Sequence, residues 1–277
     1  MGINKSRTGL AFRCLLPALL LGIFACEERA YNHARDQGTP EALEQFLKKY
    51  PDSRHQGEAR GQWAFVAFRK TAAKNTVAAY EDYLRDFPDS SLRILAVKNL
   101  TILLEPEFKT LAAEQMSKMK GLVKTEAGVI VLRLEPEKAP ESCRNFIKLA
   151  RTHFYDRSFF TMIVPGVLVQ AGSPNGDLAG GPGYFLKPEP NDLPNVPGAV
   201  GMAHGAHPET AGSQFYICLQ NLPERNGKFT VFAMVESGLE TARDLSYLEN
   251  TGPRGNPSPY RPLKPLLIQT VEIVRIE

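Results

Sequence analysis

The side chain types that most often carry out chemistry form no familiar pattern in this sequence. Its four cysteines include no Cys-x-x-Cys pair, and no His-Glu-x-x-His or other clustered set of metal ligands occurs. The Gly-x-Ser-x-Gly turn that positions the nucleophile of serine hydrolases is also missing. The sequence therefore predicts no metal, no cofactor and no hydrolase triad.

The cysteines fall into two groups by their surroundings. Cys14 and Cys26 lie at the two ends of an apolar N-terminal run, whereas Cys143 and Cys218 lie in a predicted helix and an apolar strand. Two buried, unpaired thiols are expected for the second group, because their spacing does not require a disulfide. An oxidising compartment would still permit one.

The N-terminus reads as a targeting signal over residues 1–25. Its twelve-residue apolar run, 14–25, is too short to span a bilayer, which takes about 20 residues, and has the proportions of a signal-peptide core. The ending Leu-Gly-Ile-Phe-Ala-Cys resembles a bacterial lipobox, which is cut before a cysteine that receives lipid. The resemblance implies lipidation at Cys26 and a periplasm-facing envelope lipoprotein, in the outer membrane rather than the inner. A plain secretory signal cut near Ala25 and an uncleaved anchor are the alternatives.

The charge of the chain gives no sign of a nucleic-acid partner. The formal net charge is +3, and three of the basic residues lie within the first 25 positions, which contain no acid. The remaining body has 30 basic and 30 acidic residues. A neutral body has no long-range field to attract a polyanion.

Residues 26–120 are predicted to form a helical domain with an internal repeat. The segments 42–53 and 79–90 align at an offset of 37 residues with six of twelve positions identical. Pro51 and Pro88 end one helix in each repeat, and the following Asp-Ser can cap the next. A period of 37 with two helices per unit is similar to tetratricopeptide-like repeats. Such repeats imply docking of other envelope proteins, and a helical spacer is the alternative.

Residues 121–277 change to short strands and turns. Residues 122–134 are predicted to form a hairpin with its turn at 127–128. Helices are predicted at 140–150 and 238–248, and a Gly/Pro-rich surface loop at 172–198. Further strands are predicted at 159–164, 167–171, 199–203, 214–219, 231–235 and 267–276. Many short strands with two helices favour a closed or nearly closed antiparallel barrel.

Four motifs of this region point to one family. They are the run from Ala139 to Phe146, Ile-Val-Pro-Gly at 163–166, Gly-Ser-Gln-Phe-Tyr-Ile at 212–217 and Gly-Lys-Phe-Thr-Val-Phe at 227–232. With them the region resembles the cyclophilin family of peptidyl-prolyl isomerases. The resemblance implies an α+β multidomain chain, in which helical hairpin repeats precede an eight-stranded antiparallel β-barrel with two helices. It also implies that proline-containing protein segments are the ligands.

The resemblance also assigns site residues. It implies a catalytic role for Gln170 and places Met162 where the family has a catalytic arginine. The implied substrate-binding residues are Phe160, Val167, Leu168, Ala203, His204, Gln214, Tyr216 and Phe229. Gln170 and Gln214 have an alternative role, which is to satisfy backbone groups of the barrel.

Several of these positions depart from the family pattern. Methionine can neither donate a strong hydrogen bond nor carry charge, so Met162 predicts weak or absent catalysis. Val167 and Glu224 replace larger aromatic residues. Arg157 and Arg225 are the candidates for a substitute cation. Three hypotheses follow: an envelope prolyl isomerase, a proline-segment binding module with little catalysis, and a structural or docking subunit of a membrane-associated complex.

Overall fold

The structure is a computed structural model that describes residues 15–276, with side chains from Cys26 onward. Residues 1–14, and with them Cys14 and the basic start of the predicted signal, lie outside the described residues, as does Glu277. The chain divides into two compact units, residues 1–96 and 97–277. Within the described range, no helix combines the length and apolarity needed to cross a bilayer.

The first unit is helical, as predicted. Its helices are α1 (Leu15–Gln37), α2 (Pro40–Lys49), α3 (Gln56–Lys74) and α4 (Val77–Asp86), and α5 (Arg93–Lys109) begins at its end. Thr39 and Thr76 cap α2 and α4 by accepting hydrogen bonds from backbone amides three residues ahead. A buried core of Tyr31, Leu43 and Phe46 joins α1 to α2.

The two predicted repeats have the same turn after their aromatic residue. The amide of Tyr50 donates to the Phe46 carbonyl at 2.9 Å, and that of Phe87 donates to the Tyr83 carbonyl at the same distance. The serine three residues after each aromatic accepts a bond from the amide two residues ahead of itself. For Ser53 that amide belongs to His55, the residue before α3, and no side chain caps the N-terminus of α3. Ser53 therefore stabilises the turn and does not cap α3. The turn chemistry therefore repeats at the offset found in the sequence.

The second unit is built around one antiparallel sheet, which confirms the predicted fold class. Its strand order is β3-β4-β6-β5-β7-β2-β1-β8. The strands are β1 (Met119–Thr125), β2 (Gly128–Leu134), β3 (Phe159–Val164), β4 (Leu168–Ser173), β5 (Ala199–Met202), β6 (Phe215–Cys218), β7 (Val231–Ser237) and β8 (Thr270–Arg275). The β1–β2 turn lies at residues 126–127, one position before the predicted one. Thr125 fixes the turn at this position, because its hydroxyl accepts a hydrogen bond from the Ala127 amide and donates one to the Gly128 carbonyl.

The sheet curls so that backbone hydrogen bonds join its two edges. Phe160 donates to the Leu266 carbonyl at 2.9 Å, and Arg157 donates to the Ile268 carbonyl at 2.8 Å, just before β8. Helices α6 (Ala113–Ser117), α7 (Pro140–Arg151) and α8 (Leu239–Ser246) pack on the strands. Inside, the rings of Phe146, Tyr155, Phe215 and Phe232 contact one another. This aromatic core holds the strands that carry the candidate site.

Candidate functional site

Four strands place one row of residues side by side across the sheet. Met162 on β3 faces Gln170 on β4, Gln170 faces Tyr216 on β6, and Tyr216 faces Gly201 on β5. Residues opposite one another in antiparallel strands share a face of the sheet. At Gly201 any side chain would collide with the ring and hydroxyl of Tyr216, so the glycine lets that ring lie flat across β5.

An apolar cluster surrounds this row, and we call it the Tyr216 cluster. Its buried members are Leu168, Ala199, Ala203, Tyr216, Cys218, Leu222 and Val231. Met162, Val167 and Phe229 are among the partly buried side chains that pack against it. Six of the residues predicted from the resemblance therefore share one cluster. Its partly exposed edge is apolar surface that a proline ring can cover.

The two predicted glutamines are joined but are used differently. The Gln170 amide donates to Gln214 Oε1 at 3.0 Å, and Thr161 Oγ1 donates to the same oxygen at 3.0 Å. Gln214 Nε2 donates to the carbonyls of Leu178 and Gly180 at 3.0 and 2.9 Å. Gln214 is 6% exposed and is fully occupied by the protein. Gln170 is half-buried, and its side-chain oxygen has no partner among the described residues, so it can bind a peptide group.

Aromatic rings form one wall of the site. The His204 and Phe229 rings stack at 4.0 Å, and Phe229 meets Tyr216 edge-on at 5.7 Å. The Nδ1 atom of His204 donates to the Gly205 carbonyl at 2.8 Å, which leaves Nε2 as an acceptor. Nε2 is buried without a hydrogen-bond partner. His204 therefore contributes to the site by stacking its ring on Phe229 and not by a hydrogen bond from Nε2.

The Gly/Pro-rich loop contributes a buried residue that the sequence analysis missed. Tyr216 donates its hydroxyl to Asn195 Oδ1 at 2.6 Å, and Asn195 is 1% exposed. The need of a buried tyrosine for a hydrogen-bond partner was the available signal. Burial raises the pKa of the Tyr216 phenol and raises the pKa of the neighbouring Cys218 thiol to about 12. Both groups stay protonated at neutral pH and act as packed, uncharged side chains.

Phe160 lies apart from the other residues predicted for the site. It is 3% exposed and lies opposite Ala171, in the row of Phe215, whose ring belongs to the aromatic core. The register of β3 shifts between Phe160 and Met162, so these residues do not follow the simple alternation of a strand. Phe160 therefore supports the sheet and does not line the Tyr216 cluster.

The two candidate substitute cations lie in different places. Arg157 lies just before β3, at the edge of the sheet where its backbone amide donates to the Ile268 carbonyl. Arg225, on a short 3-10 turn, places its guanidinium 4.4 Å from the Tyr216 ring centre and 4.8 Å from that of Phe229. Its neighbour Glu224 is exposed. Among residues 26–276, no three His, Cys, Asp or Glu side chains are grouped closely enough to hold a metal ion.

Comparison with known proteins agrees with this geometry. A family model described as "Cyclophilin type peptidyl-prolyl cis-trans isomerase/CLD" matches residues 121–273. Peptidyl-prolyl cis-trans isomerase B of Bacillus subtilis is 45% identical over 119 residues, covering 42% of this chain and 82% of that protein. The peptidyl-prolyl cis-trans isomerase of Synechococcus elongatus is 38% identical over 128 residues, covering 46% and 88%.

A solved structure shows the same fold. The crystal structure of a cyclophilin type peptidyl-prolyl cis-trans isomerase of Cryptosporidium parvum, in the presence of the dipeptide Ala-Pro, matches with a TM-score of 0.52 and 26% identity. The match covers 57% of this chain and 99% of that one. The curled antiparallel sheet with its helices thus places the second unit among barrel-type α+β domains. The chain belongs to the cyclophilin-type peptidyl-prolyl cis-trans isomerase family.

Proposed function

We propose that this protein is an envelope lipoprotein whose cyclophilin domain binds proline-containing segments of exported proteins and isomerises them slowly. The binding surface is the Tyr216 cluster with Gln170 beside it. The Ala-Pro dipeptide named with the Cryptosporidium parvum structure supports a prolyl ligand for the same fold.

The chemistry requires three kinds of contact. Amide resonance opposes rotation of a peptide bond with a barrier of about 18–20 kcal/mol, and X-Pro bonds isomerise over tens of seconds or longer. An apolar surface must hold the proline ring, a polar group must hold the neighbouring carbonyl, and a cation near the prolyl nitrogen must stabilise the twisted amide. The Tyr216 cluster supplies the first contact. Gln170 supplies the second through the remaining N–H of its amide nitrogen, whose other N–H donates to Gln214.

Met162 carries the proposal of slow catalysis. It occupies the position in the row that the family resemblance assigns to a catalytic arginine, and it packs against the Tyr216 cluster as an uncharged thioether. Loss of one preorganised donor typically lowers a rate by about 10²–10³. Apolar contact from Met162 favours binding, so we expect weaker catalysis than binding.

A matched pair of variants tests this proposal. Met162→Arg should raise kcat/KM for an Ala-Pro peptide in a protease-coupled isomer assay by at least about tenfold. Met234→Arg is the control, because Met234 also packs partly buried against the cluster but lies on β7, outside the row. A gain in both variants, or in neither, would reject the proposed role of residue 162.

Cys26 supports the proposed membrane attachment. It follows the apolar run directly, lies on α1 and is exposed. Cys26→Ser should release the protein from bacterial membranes or block its processing, measured by fractionation and by the mass of the N-terminal peptide. Membrane attachment of a processed Cys26→Ser protein would contradict the lipid anchor.

A second candidate function is that of a docking subunit of a membrane-associated complex. The helical unit has a cleft of about 600 Å³, where the rings of Trp63 and Phe87 meet edge-on at 5.0 Å between Pro40 and Lys70. Co-purification from solubilised membranes tests this function. A partner lost in Trp63→Ala but retained in Met162→Arg would favour docking by the helices over action by the cyclophilin domain.

A further inference from the structure

The Arg225 side chain occupies a corner formed by two rings of the site. The Tyr216 and Phe229 rings are perpendicular, at 86°, with centres 5.7 Å apart. The Arg225 guanidinium lies 4.4 Å from one ring centre and 4.8 Å from the other. Contact with two aromatic rings orders the planar guanidinium group.

Arg225 forms no ion pair with any residue that the structure describes. Other arginines of the same unit do so, since Arg133 pairs with Glu135 and Arg144 pairs with Glu141. The adjacent Glu224 is exposed and forms no ion pair with Arg225, although its charge reaches the Tyr216 hydroxyl and opposes part of the attraction for a ligand carboxylate. Arg225 also forms a side-chain hydrogen bond with the Tyr216 hydroxyl. A guanidinium has five N–H donors, so others remain available for an acceptor.

We infer that Arg225 is a specificity-determining residue, which makes the site prefer proline segments with a carboxylate side chain beside the proline. The inference rests on the proposed function, because it assumes that proline binds at the Tyr216 cluster. A guanidinium presents parallel donors that match both oxygens of a carboxylate. Arg225 is half-buried and already ordered by the two rings. Binding of a carboxylate therefore costs little side-chain entropy of the protein.

The neutral opposite side of the row strengthens this preference. Met162 carries no charge, and Gln170 and Tyr216 between them are uncharged at neutral pH. A ligand carboxylate therefore meets one cation at the ring corner and no competing one along the row. A lysine beside the proline would face Arg225 and bind less well than a neutral residue.

Binding of blocked peptides to the full-length protein tests the inference. Each peptide has an Ala-Pro core and carries Glu, Gln or Lys beside it, and its acetyl and amide ends remove terminal charges. We expect Glu peptides to bind about fivefold more tightly than Gln peptides, since a charge-assisted hydrogen bond at a half-exposed site is partly screened. The difference should shrink in 0.5 M salt.

Three variants identify the cation. Arg225→Gln should abolish the preference for Glu, and Arg225→Lys should keep part of it because lysine retains charge without the planar fork. Lys228→Gln, an exposed cation in the same loop, should leave the preference intact. A thermal unfolding curve for each variant checks that the site is folded.

The remaining outcomes overturn the inference in distinguishable ways. Equal binding of Glu, Gln and Lys peptides rejects the role of Arg225 and leaves the proposed prolyl binding standing. Tighter binding of every peptide by Arg225→Gln shows that the arginine merely covers the Tyr216 ring, and also rejects it. No binding of any peptide rejects the inference together with the proposed function.

Discussion

Replacing Gln214 should destabilise the cyclophilin domain far more than replacing Gln170, although the resemblance assigns both to the site. Gln214→Leu preserves the size of the side chain and removes every hydrogen bond of its amide. The buried Thr161 hydroxyl, 1% exposed, loses its acceptor, and the Leu178 and Gly180 carbonyls lose their donor. A buried polar group without a partner costs about 1–3 kcal/mol.

The two carbonyls lie in a loop that water can reach, so losing their hydrogen bonds to Gln214 adds less to the cost in stability. We expect Gln214→Leu to lower the free energy of unfolding by about 2–4 kcal/mol. Gln170→Leu breaks one bond of a half-buried side chain and should cost about 0.5–1.5 kcal/mol. Gln214→Glu keeps the acceptor but cannot donate to either carbonyl, so it should resemble Gln214→Leu more than the wild type.

Hydrogen exchange across a urea series, read by mass spectrometry on peptides from β4 and β6, measures these free energies within the cyclophilin domain alone. Reading one segment avoids confusion with unfolding of the helical unit. A loss below about 0.5 kcal/mol for Gln214→Leu, or equal losses for the two glutamines, would show that the hydrogen bonds of Gln214 do not stabilise the domain as proposed.

Three further predictions concern packing and buried thiols. Gly201→Ala should displace the Tyr216 ring and destroy binding of an Ala-Pro peptide, measured by titration. The exposed change Gly181→Ala serves as a folding control for glycine replacement, because its backbone is not left-handed and an added Cβ would meet no atom within 4 Å. A maleimide should label the buried Cys143 and Cys218 only as fast as the domain unfolds, as mass spectrometry of the labelled peptides can show. Burial raises the pKa of the Cys218 thiol to about 12, above its unfolded value of about 8.5, so its contribution to stability is complete below pH 8.5 and is lost between there and pH 12; Cys218→Ala should make urea unfolding less sensitive to pH in that window.

Strands and helices of the second unit follow closely from local patterns. Helix α7 was predicted at 140–150 and occupies Pro140–Arg151, because Pro140 starts it and apolar residues recur at helical spacing. Strand β3 was predicted at 159–164 and occupies those residues. Such elements are set by neighbours within the chain, so periodicity finds them.

The site was less accessible to sequence reasoning because it depends on contacts between distant segments. The register shift in β3 that moves Phe160 out of the site leaves no mark on the alternation of residues. Asn195 reaches Tyr216 from a loop with no regular pattern. Arg225 was proposed as a substitute cation, but its position on two rings follows from the path of the turn that carries it.

The predicted domain limits, 1–25, 26–120 and 121–277, stay predictions, as do the lipobox and the tetratricopeptide-like character of the repeats. The family match begins at residue 121, while the second compact unit begins at residue 97. Helix α6, which packs on α7 and β1, accounts for part of this difference. Residues 97–120 therefore belong to the second compact unit by their contacts but lie outside the sequence that the family shares.

Exchange spectroscopy by nuclear magnetic resonance on an Ala-Pro peptide with the wild-type protein reports prolyl binding and cis-trans interconversion in one sample. We expect the peptide signals to shift on binding while interconversion stays slow, and we expect Met162→Arg to accelerate interconversion by at least about tenfold. Fast interconversion by the wild type that Met162→Arg leaves unchanged would show that residue 162 does not limit catalysis.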